Sequence, residues 1–275
     1  MSPIVAKIAG IGVQGPGLPG WGATAALLRQ PAAWAAAPTA LPLPARLPPA
    51  ERRRSGSLVR LSLAVADEAL EAAARGGLAV DPAGLATVFT SSSGDTLNCH
   101  ALCEALAQPE RAVSPTRFTN SVHNATAGYW HIATASRAPS ISLCGFDASF
   151  AAGLLEAMAQ CAASAAPVLL VASDIPYPHP MNAQRPSPDA FGLALLLAPL
   201  SAPWAGLAQL SLPDDAMVPR PVSACEPPGL DALRSGVPAA RALPLLAALA
   251  DGRAGRVVLE GFAGGSLAVD MAAAG

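Results

Sequence analysis

Runs of apolar residues alternate with amphipathic stretches along the first two hundred positions of the chain. Five short apolar runs predict buried strands, at residues 4–11, 86–90, 140–143, 168–172 and 190–197. Residues 57–75 carry apolar side chains at helical spacing and are followed by two glycines, which predicts a helix that stops there. The alanine-rich residues 147–163 predict a second long helix. Such alternation is typical of a layered α/β domain.

The pattern is weaker after residue 199. Residues 207–212, 256–259 and 266–271 predict short strands, and residues 243–250 predict one alanine–leucine helix. We therefore expect residues 1–200 to form the main α/β half. Residues 201–275 are expected to form a reduced C-terminal segment that packs on the same core.

Composition and charge exclude several classes of protein. Hydrophobic residues make up 52% of the chain and charged residues 13%, which favours a large core over disorder. The net charge is −2 and Arg52–Arg54 is the only charge run, so we expect no nucleic-acid partner. No apolar run approaches the roughly 20 residues of a spanning helix. No signal-peptide pattern opens the sequence, and these features predict a cytoplasmic protein without a membrane partner.

The candidate metal and cofactor motifs are weak. Five cysteines and no export signal predict free thiols. Cys99 and Cys103 have a CxxxC spacing, but no second ligand pair follows, so we predict two thiols on one helix face. The glycines of residues 10–17 superficially match a dinucleotide fingerprint. Pro16 and Pro19 would break the helix that such a site needs, and we expect no bound cofactor.

Residues 140–157, SISLCGFDASFAAGLLEA, resemble the strand, turn and helix that carry the nucleophilic cysteine of the β-ketoacyl synthases. We call the turn, residues 144–149 here, the elbow. Other segments resemble the same family in the same order: IVAKIAGIGVQGPG, LAVADEALEAA, VFTSSSGD, SPTRFTNSVHNATAGYW, VLLVASD and PDAFGLALLL. The resemblance covers residues 4–200. It implies a thiolase-like layered α/β/α fold, with the first half complete and the second half truncated.

The resemblance also implies that condensing activity is absent. In the family the first half supplies the cysteine, and the second half supplies two histidines and a lysine. No histidine follows His179 in this chain, and no segment like His-Gly-Thr-Gly-Thr or Asn-His-Phe is found after residue 200. Setting the elbow in register places Asp147 where the cysteine would stand. A carboxylate at a helix N-terminus is stabilised as an anion and attacks thioesters poorly.

Three elbow residues are candidates for remaining chemistry. Asp147 is either a functional acid or base or, in the interpretation we prefer, the N-cap of the following helix. Ser149 is a candidate nucleophile, but no histidine partner follows it in the sequence. Cys144 is either a displaced nucleophile or, as we prefer, a buried thiol at the end of a strand.

A second candidate region lies ahead of the elbow. His123 and Asn124 precede a helix predicted at residues 125–135, with Asn124 as its N-cap. In the relatives this segment approaches the active-site floor. His123 therefore either bonds an acyl carbonyl or a phosphopantetheine amide, or it ties down the loop. Tyr129 and Trp130 either line an acyl tunnel or belong to the core, and we expect only one of them to face inward.

Three functions are consistent with these residues. The first is a non-condensing subunit, like the chain-length factors of type II polyketide, fatty acid or aryl polyene systems, that pairs with an active ketosynthase. Its partner, either that ketosynthase or a second copy, would bind at the strand edge Ser140–Leu143. The second is a stand-alone acyl-thioester transferase or hydrolase that reuses the elbow. The third is a docking module for an acyl carrier protein, whose phosphopantetheine would be a transient ligand.

Overall fold

The computed structural model describes residues 4–204 and 206–273, which form nine strands and ten α-helices. The strands are β1 (Val5–Gly15), β2 (Leu18–Pro19), β3 (Ala86–Thr90), β4 (Ser140–Leu143), β5 (Val168–Asp174), β6 (Phe191–Ala198), β7 (Ala208–Ser211), β8 (Gly255–Glu260) and β9 (Ser266–Ala273). The helices are α1 (Trp21–Arg29), α2 (Pro49–Arg54), α3 (Ser57–Arg75), α4 (Thr96–Ala107), α5 (Pro115–Thr119), α6 (Ala125–Thr134), α7 (Ser149–Ser164), α8 (Met181–Gln184), α9 (Pro228–Gly236) and α10 (Leu243–Asp251). The alternation of strands and helices expected from the apolar pattern is observed.

All nine strands join one sheet, in the order β4-β3-β5-β6-β1-β7-β9-β8, with β2 paired to the end of β1. The strands β4, β3 and β5 run parallel, whereas β6 is antiparallel to β5 and to β1. The parallel strands β3 and β5 lie inside the sheet and are almost wholly buried, as expected when helices cover both faces. The strand β4 lies at one end of the sheet and, among the described residues, pairs only with β3.

Helix α3 approaches the sheet closely because two glycines of β1 face it. A Cβ built on Gly10 would lie 2.0 Å from the carbonyl oxygen of Ala69, and one built on Gly12 would lie 2.0 Å from that of Val65. Both obstacles are helix backbone, so a side chain at either glycine requires the helix to move. This contact fixes the layer formed by α3 and α6 on one face of the sheet.

The C-terminal segment covers the other face of the sheet. A 3-10 turn, Pro238–Ala242, and helix α10 pack with α7 and α1 in one apolar cluster over that face. The strands β7, β8 and β9 extend the sheet beyond β1. The C-terminal segment therefore packs on the same core as the first half, over a face of the sheet that would otherwise be uncovered. The division into parts at residue 200 stays a prediction.

The start of the long helix differs from the prediction. We expected it at Asp147, but residues Phe146–Ala148 form a 3-10 turn and α7 begins at Ser149. Phe146 has φ 54°, a left-handed conformation that a bulky side chain rarely adopts. This local turn redirects the chain before the helix and changes what Asp147 can bind.

Candidate functional site

The elbow lies where three parallel strands end. The strands β4, β3 and β5 run in the same direction, so their carboxyl ends meet at one edge of the sheet. The elbow follows β4, the turn containing Ser92 follows β3, and Asp174 is the last residue of β5. The topology therefore brings together polar residues that are far apart in the sequence.

Asp147 does not cap helix α7, and that prediction is wrong. The N-cap position of the helix is Ala148, and it makes no side-chain cap hydrogen bond. The Asp147 carboxylate instead binds two guanidinium groups, Arg185 Nη2 at 2.5 Å from Oδ1 and Arg241 Nη2 at 3.1 Å from Oδ2. Each carboxylate oxygen is therefore engaged by an arginine, which leaves the group poorly placed to attack an incoming thioester.

Arg185 connects the elbow to the neighbouring strand end. Its Nη2 also donates to the Ser92 hydroxyl at 2.9 Å. The guanidinium carbon lies 3.9 Å from the ring centre of Phe146, a cation–π contact. Phe146 itself is largely exposed beside the elbow. The loop after β5 therefore supplies a charged side chain to this site.

Arg241 connects the elbow to the C-terminal segment. It lies in the 3-10 turn before α10 and is buried, with its side chain 9% exposed. Besides Asp147 it forms an ion pair with Glu260 at the end of β8. Arg185, Arg241 and Glu260 were not predicted from the sequence. The chain carries many arginines, and nothing in the local sequence distinguishes Arg185 and Arg241 from the others.

The side chains of Ser149 and Cys144 bond to backbone groups and not to an activating base. The Ser149 hydroxyl is buried, donates to the carbonyl oxygen of Phe146 at 2.6 Å and accepts from the N–H of Gly145 at 3.0 Å. Both roles hold the turn together. Cys144 was expected to be buried but is exposed, because β4 is an edge strand. Its thiol donates to the carbonyl oxygen of Ser92 at 3.2 Å.

His123 and Asn124 lie at the surface, before helix α6. Both side chains are exposed, and among the described residues neither has a hydrogen bond or ion pair with the elbow. Asn124 occupies the predicted N-cap position but makes no side-chain cap hydrogen bond.

Tyr129 and Trp130 are both buried, contrary to the expectation that only one faces inward. Tyr129 lines a surface cavity beside α6 together with Asn124 and Ile132, and a role in an acyl tunnel stays a prediction.

Asp174 is a buried carboxylate next to the elbow. Its Oδ1 accepts from the Ser91 hydroxyl at 3.0 Å and the Ser92 N–H at 2.7 Å, and its Oδ2 accepts from the Ala239 N–H at 2.9 Å. Burial outweighs these hydrogen bonds and raises the pKa of Asp174 from 3.8 to about 6. The carboxylate ties the C-terminal 3-10 turn to the ends of β3 and β5.

The raised pKa of Asp174 predicts a pH dependence of stability. The folded protein holds this proton up to about pH 6, whereas the unfolded chain releases it near pH 3.8. Between these values the folded state binds more protons, so the free energy of unfolding falls as the pH rises. We expect this contribution to be on the order of 3 kcal/mol. Urea unfolding of the wild type and Asp174→Asn should give profiles whose difference changes between about pH 4 and 6. Parallel profiles would contradict the assignment.

No helix in the described part of the chain combines the length and apolarity needed to cross a membrane.

A search of curated protein sequences gave no match. The family described as Beta-ketoacyl synthase, N-terminal domain, matches residues 26–228, which is most of the chain.

Solved structures share the fold over nearly the whole chain. A complex of the ketosynthase ApeO with its chain length factor ApeC from Xenorhabdus doucetiae matches with a TM-score of 0.70 and 24% identity, covering 97% of this chain and 99% of that one. The ishigamide ketosynthase/chain length factor matches with a TM-score of 0.72 and 17% identity, covering 98% and 100%. The chain covers only 70% of a beta-ketoacyl synthase from Burkholderia phymatum STM815, at 15% identity and a TM-score of 0.60.

These likenesses confirm the predicted fold class, a thiolase-like layered α/β arrangement in a chain shorter than a full ketosynthase. They also confirm the resemblance that began at the elbow. The family match extends from α1 to the start of α9 and includes β3, β4, the elbow and Asp174. The chain therefore belongs to the β-ketoacyl synthase family, through its N-terminal domain.

Proposed function

We propose that this protein is a non-condensing, chain-length-factor-like subunit that pairs with an active ketosynthase in fatty acid or polyketide biosynthesis, of the aryl polyene type. The observation that carries the proposal is the state of Asp147. The family resemblance puts it in register with the nucleophilic cysteine, and its carboxylate is bound by Arg185 and Arg241. Within the printed sequence no histidine follows His179.

The edge of the sheet supports the choice of partner. The strand β4 (Ser140–Leu143) is half-buried and, among the described residues, has hydrogen-bonded neighbours on one side only. An unpaired edge is a template for strand addition from another chain. A ketosynthase that adds its own strand there would also lie next to the exposed ring of Phe146. A second copy of this chain is the alternative occupant.

An acyl carrier protein would deliver the substrate to the paired complex. One solved structure with this fold, at 12% identity and a TM-score of 0.75, contains a type II polyketide acyl carrier protein bound to its ketosynthase. We expect the carrier protein to contact the paired complex and its phosphopantetheine to be a transient ligand, with no resident cofactor. His123 and Asn124, exposed ahead of α6, remain the candidates for contact with that arm. The complex is proposed to act in the cytoplasm.

The proposal predicts that this chain never carries the acyl group. The purified protein should be incubated with acyl and malonyl carrier protein, alone and together with the ketosynthase of its own pathway, and each chain weighed by intact mass spectrometry. We expect acylation of the ketosynthase only, because the Asp147 carboxylate is neutralised and the Ser149 hydroxyl is bonded within its turn. Cys144→Ser serves as the control for the exposed thiol.

An acylated form of this chain would contradict the proposal. If the added mass disappears in Ser149→Ala or Asp147→Ala and persists in Cys144→Ser, the stand-alone transferase or hydrolase is the better account.

A further inference from the structure

Two cysteines away from the elbow lie side by side at the surface. Cys99 and Cys103 are both exposed on helix α4 and are four residues apart, so they share one helix face. Residues four apart on a helix have Cβ atoms about 5–6 Å apart, so side-chain rotation can bring the two sulfur atoms to one shared ligand. The other exposed cysteine, Cys144, is a single thiol in a different element.

The spacing of this pair opposes an internal disulfide. Residues at i and i+4 of a helix have Cβ atoms about 5–6 Å apart. A disulfide needs Cβ atoms about 3.5–4.5 Å apart, so it would distort the helix. Partial burial and the neighbouring thiol of Cys103 raise the pKa of Cys99, which further slows attack of its sulfur on an oxidant. The pair is therefore expected to persist as two thiols.

The residues around Cys99 and Cys103 limit the number of ligands at this site. His100 is occupied by Glu104, with Nε2 at 3.3 Å from Oε1. Over residues 4–204 and 206–273, no group of three or more His, Cys, Asp or Glu side chains is arranged to hold a metal ion. A tetrahedral zinc site needs four ligands and does not fit. Two sulfur ligands suit a soft centre of low coordination number.

We propose that Cys99 and Cys103 form a dithiol site that binds one thiophilic centre, of the class of trivalent arsenic or cuprous copper. The site is independent of the elbow and of the proposed pairing with a ketosynthase. Both sulfurs face solvent on a regular helix, so binding requires only side-chain rotation and loss of the two thiol protons.

Phenylarsine oxide is the probe that tests the site. Two As–S bonds form, the arsenic–oxygen bond breaks, and the oxygen leaves as water with the two thiol protons. Arsenic stays trivalent, so no oxidant or reductant is needed. A single thiol holds the same reagent weakly, because an excess of a small monothiol displaces it. The buried thiols Cys161 and Cys225, whose pKa values burial raises to about 11 and about 12, should not react in the folded protein.

The experiment compares the full-length protein with three variants by intact mass after treatment with one equivalent of probe and excess 2-mercaptoethanol. Wild type and Cys144→Ser should each retain one arsenical per chain, whereas Cys99→Ser and Cys103→Ser should each lose it. Unchanged melting temperatures would show that the variants are folded. Retention by either Cys99→Ser or Cys103→Ser, loss in Cys144→Ser, or no adduct on the wild type would overturn the proposal.

Discussion

Gly12→Ala should lower the free energy of unfolding by roughly 3 kcal/mol or more, beyond the usual cost of an added methyl group in a core. The new Cβ would lie 2.0 Å from the carbonyl oxygen of Val65 and 3.0 Å from the backbone nitrogen of Ala69. Both atoms belong to the backbone of helix α3. A side chain could rotate away, but a helix must move as a body and separate from the sheet. Urea unfolding followed by circular dichroism measures the loss.

The control is another glycine in the same chain. Gly128 lies on the exposed side of α6, and a Cβ built there meets nothing within 4 Å beyond its chain neighbours and the helix's own backbone. Alanine is the better helix former, so Gly128→Ala should stabilise the protein by up to about 1 kcal/mol. If Gly12→Ala and Gly128→Ala have the same effect, the close approach of β1 and α3 is not what fixes this layer.

Arg241→Met should lower the free energy of unfolding by roughly 2–3 kcal/mol, somewhat less than for a fully buried ion pair. The methionine can fill much of the buried space, but it removes the ion-pair partner of Glu260 and leaves Asp147 with Arg185 alone. Those two carboxylates are each 33% exposed, so water compensates for part of the loss. Thermal and urea unfolding of the variant measure the effect.

Arg253→Met is the matched control for this substitution. Arg253 also binds an aspartate, Asp251, but its side chain is 79% exposed. Exposed pairs contribute about 0–1 kcal/mol, so the control should be nearly as stable as the wild type. An equal loss in both variants would show that the ion pairs around Asp147 have no special role in attaching the C-terminal segment to the elbow.

The elements of the first half could be predicted because their apolar periods are local. Helix α3 and the strands β3 and β4 have the bounds expected from the sequence. The equivalence of Asp147 with the nucleophilic cysteine of the family stays a prediction. In contrast, the 3-10 turn at Phe146 could not be predicted, because a left-handed phenylalanine is held by its surroundings rather than by its own preference.

The partners of Asp147 depend on long-range packing. Arg185 reaches the elbow from the loop after β5, and Arg241 reaches it only because the C-terminal segment folds over α7. Helix α9 was not predicted, although its buried residues Leu230, Leu233 and Arg234 lie three and four positions apart on one face. The five-residue 3-10 turn Pro238–Ala242 is too short to give a periodic signal. Asp174 also depends on long-range packing, because its raised pKa follows from burial by elements distant in the sequence.

The native mass of the protein co-expressed with the ketosynthase of its own pathway tests the central claim most directly. The proposed function predicts a one-to-one complex of the two chains, since β4 has a hydrogen-bonded neighbour on one side only among the described residues and the chemistry is assigned to the ketosynthase. Recovery of this chain as a monomer, or only as a homodimer while the ketosynthase elutes separately, would contradict it.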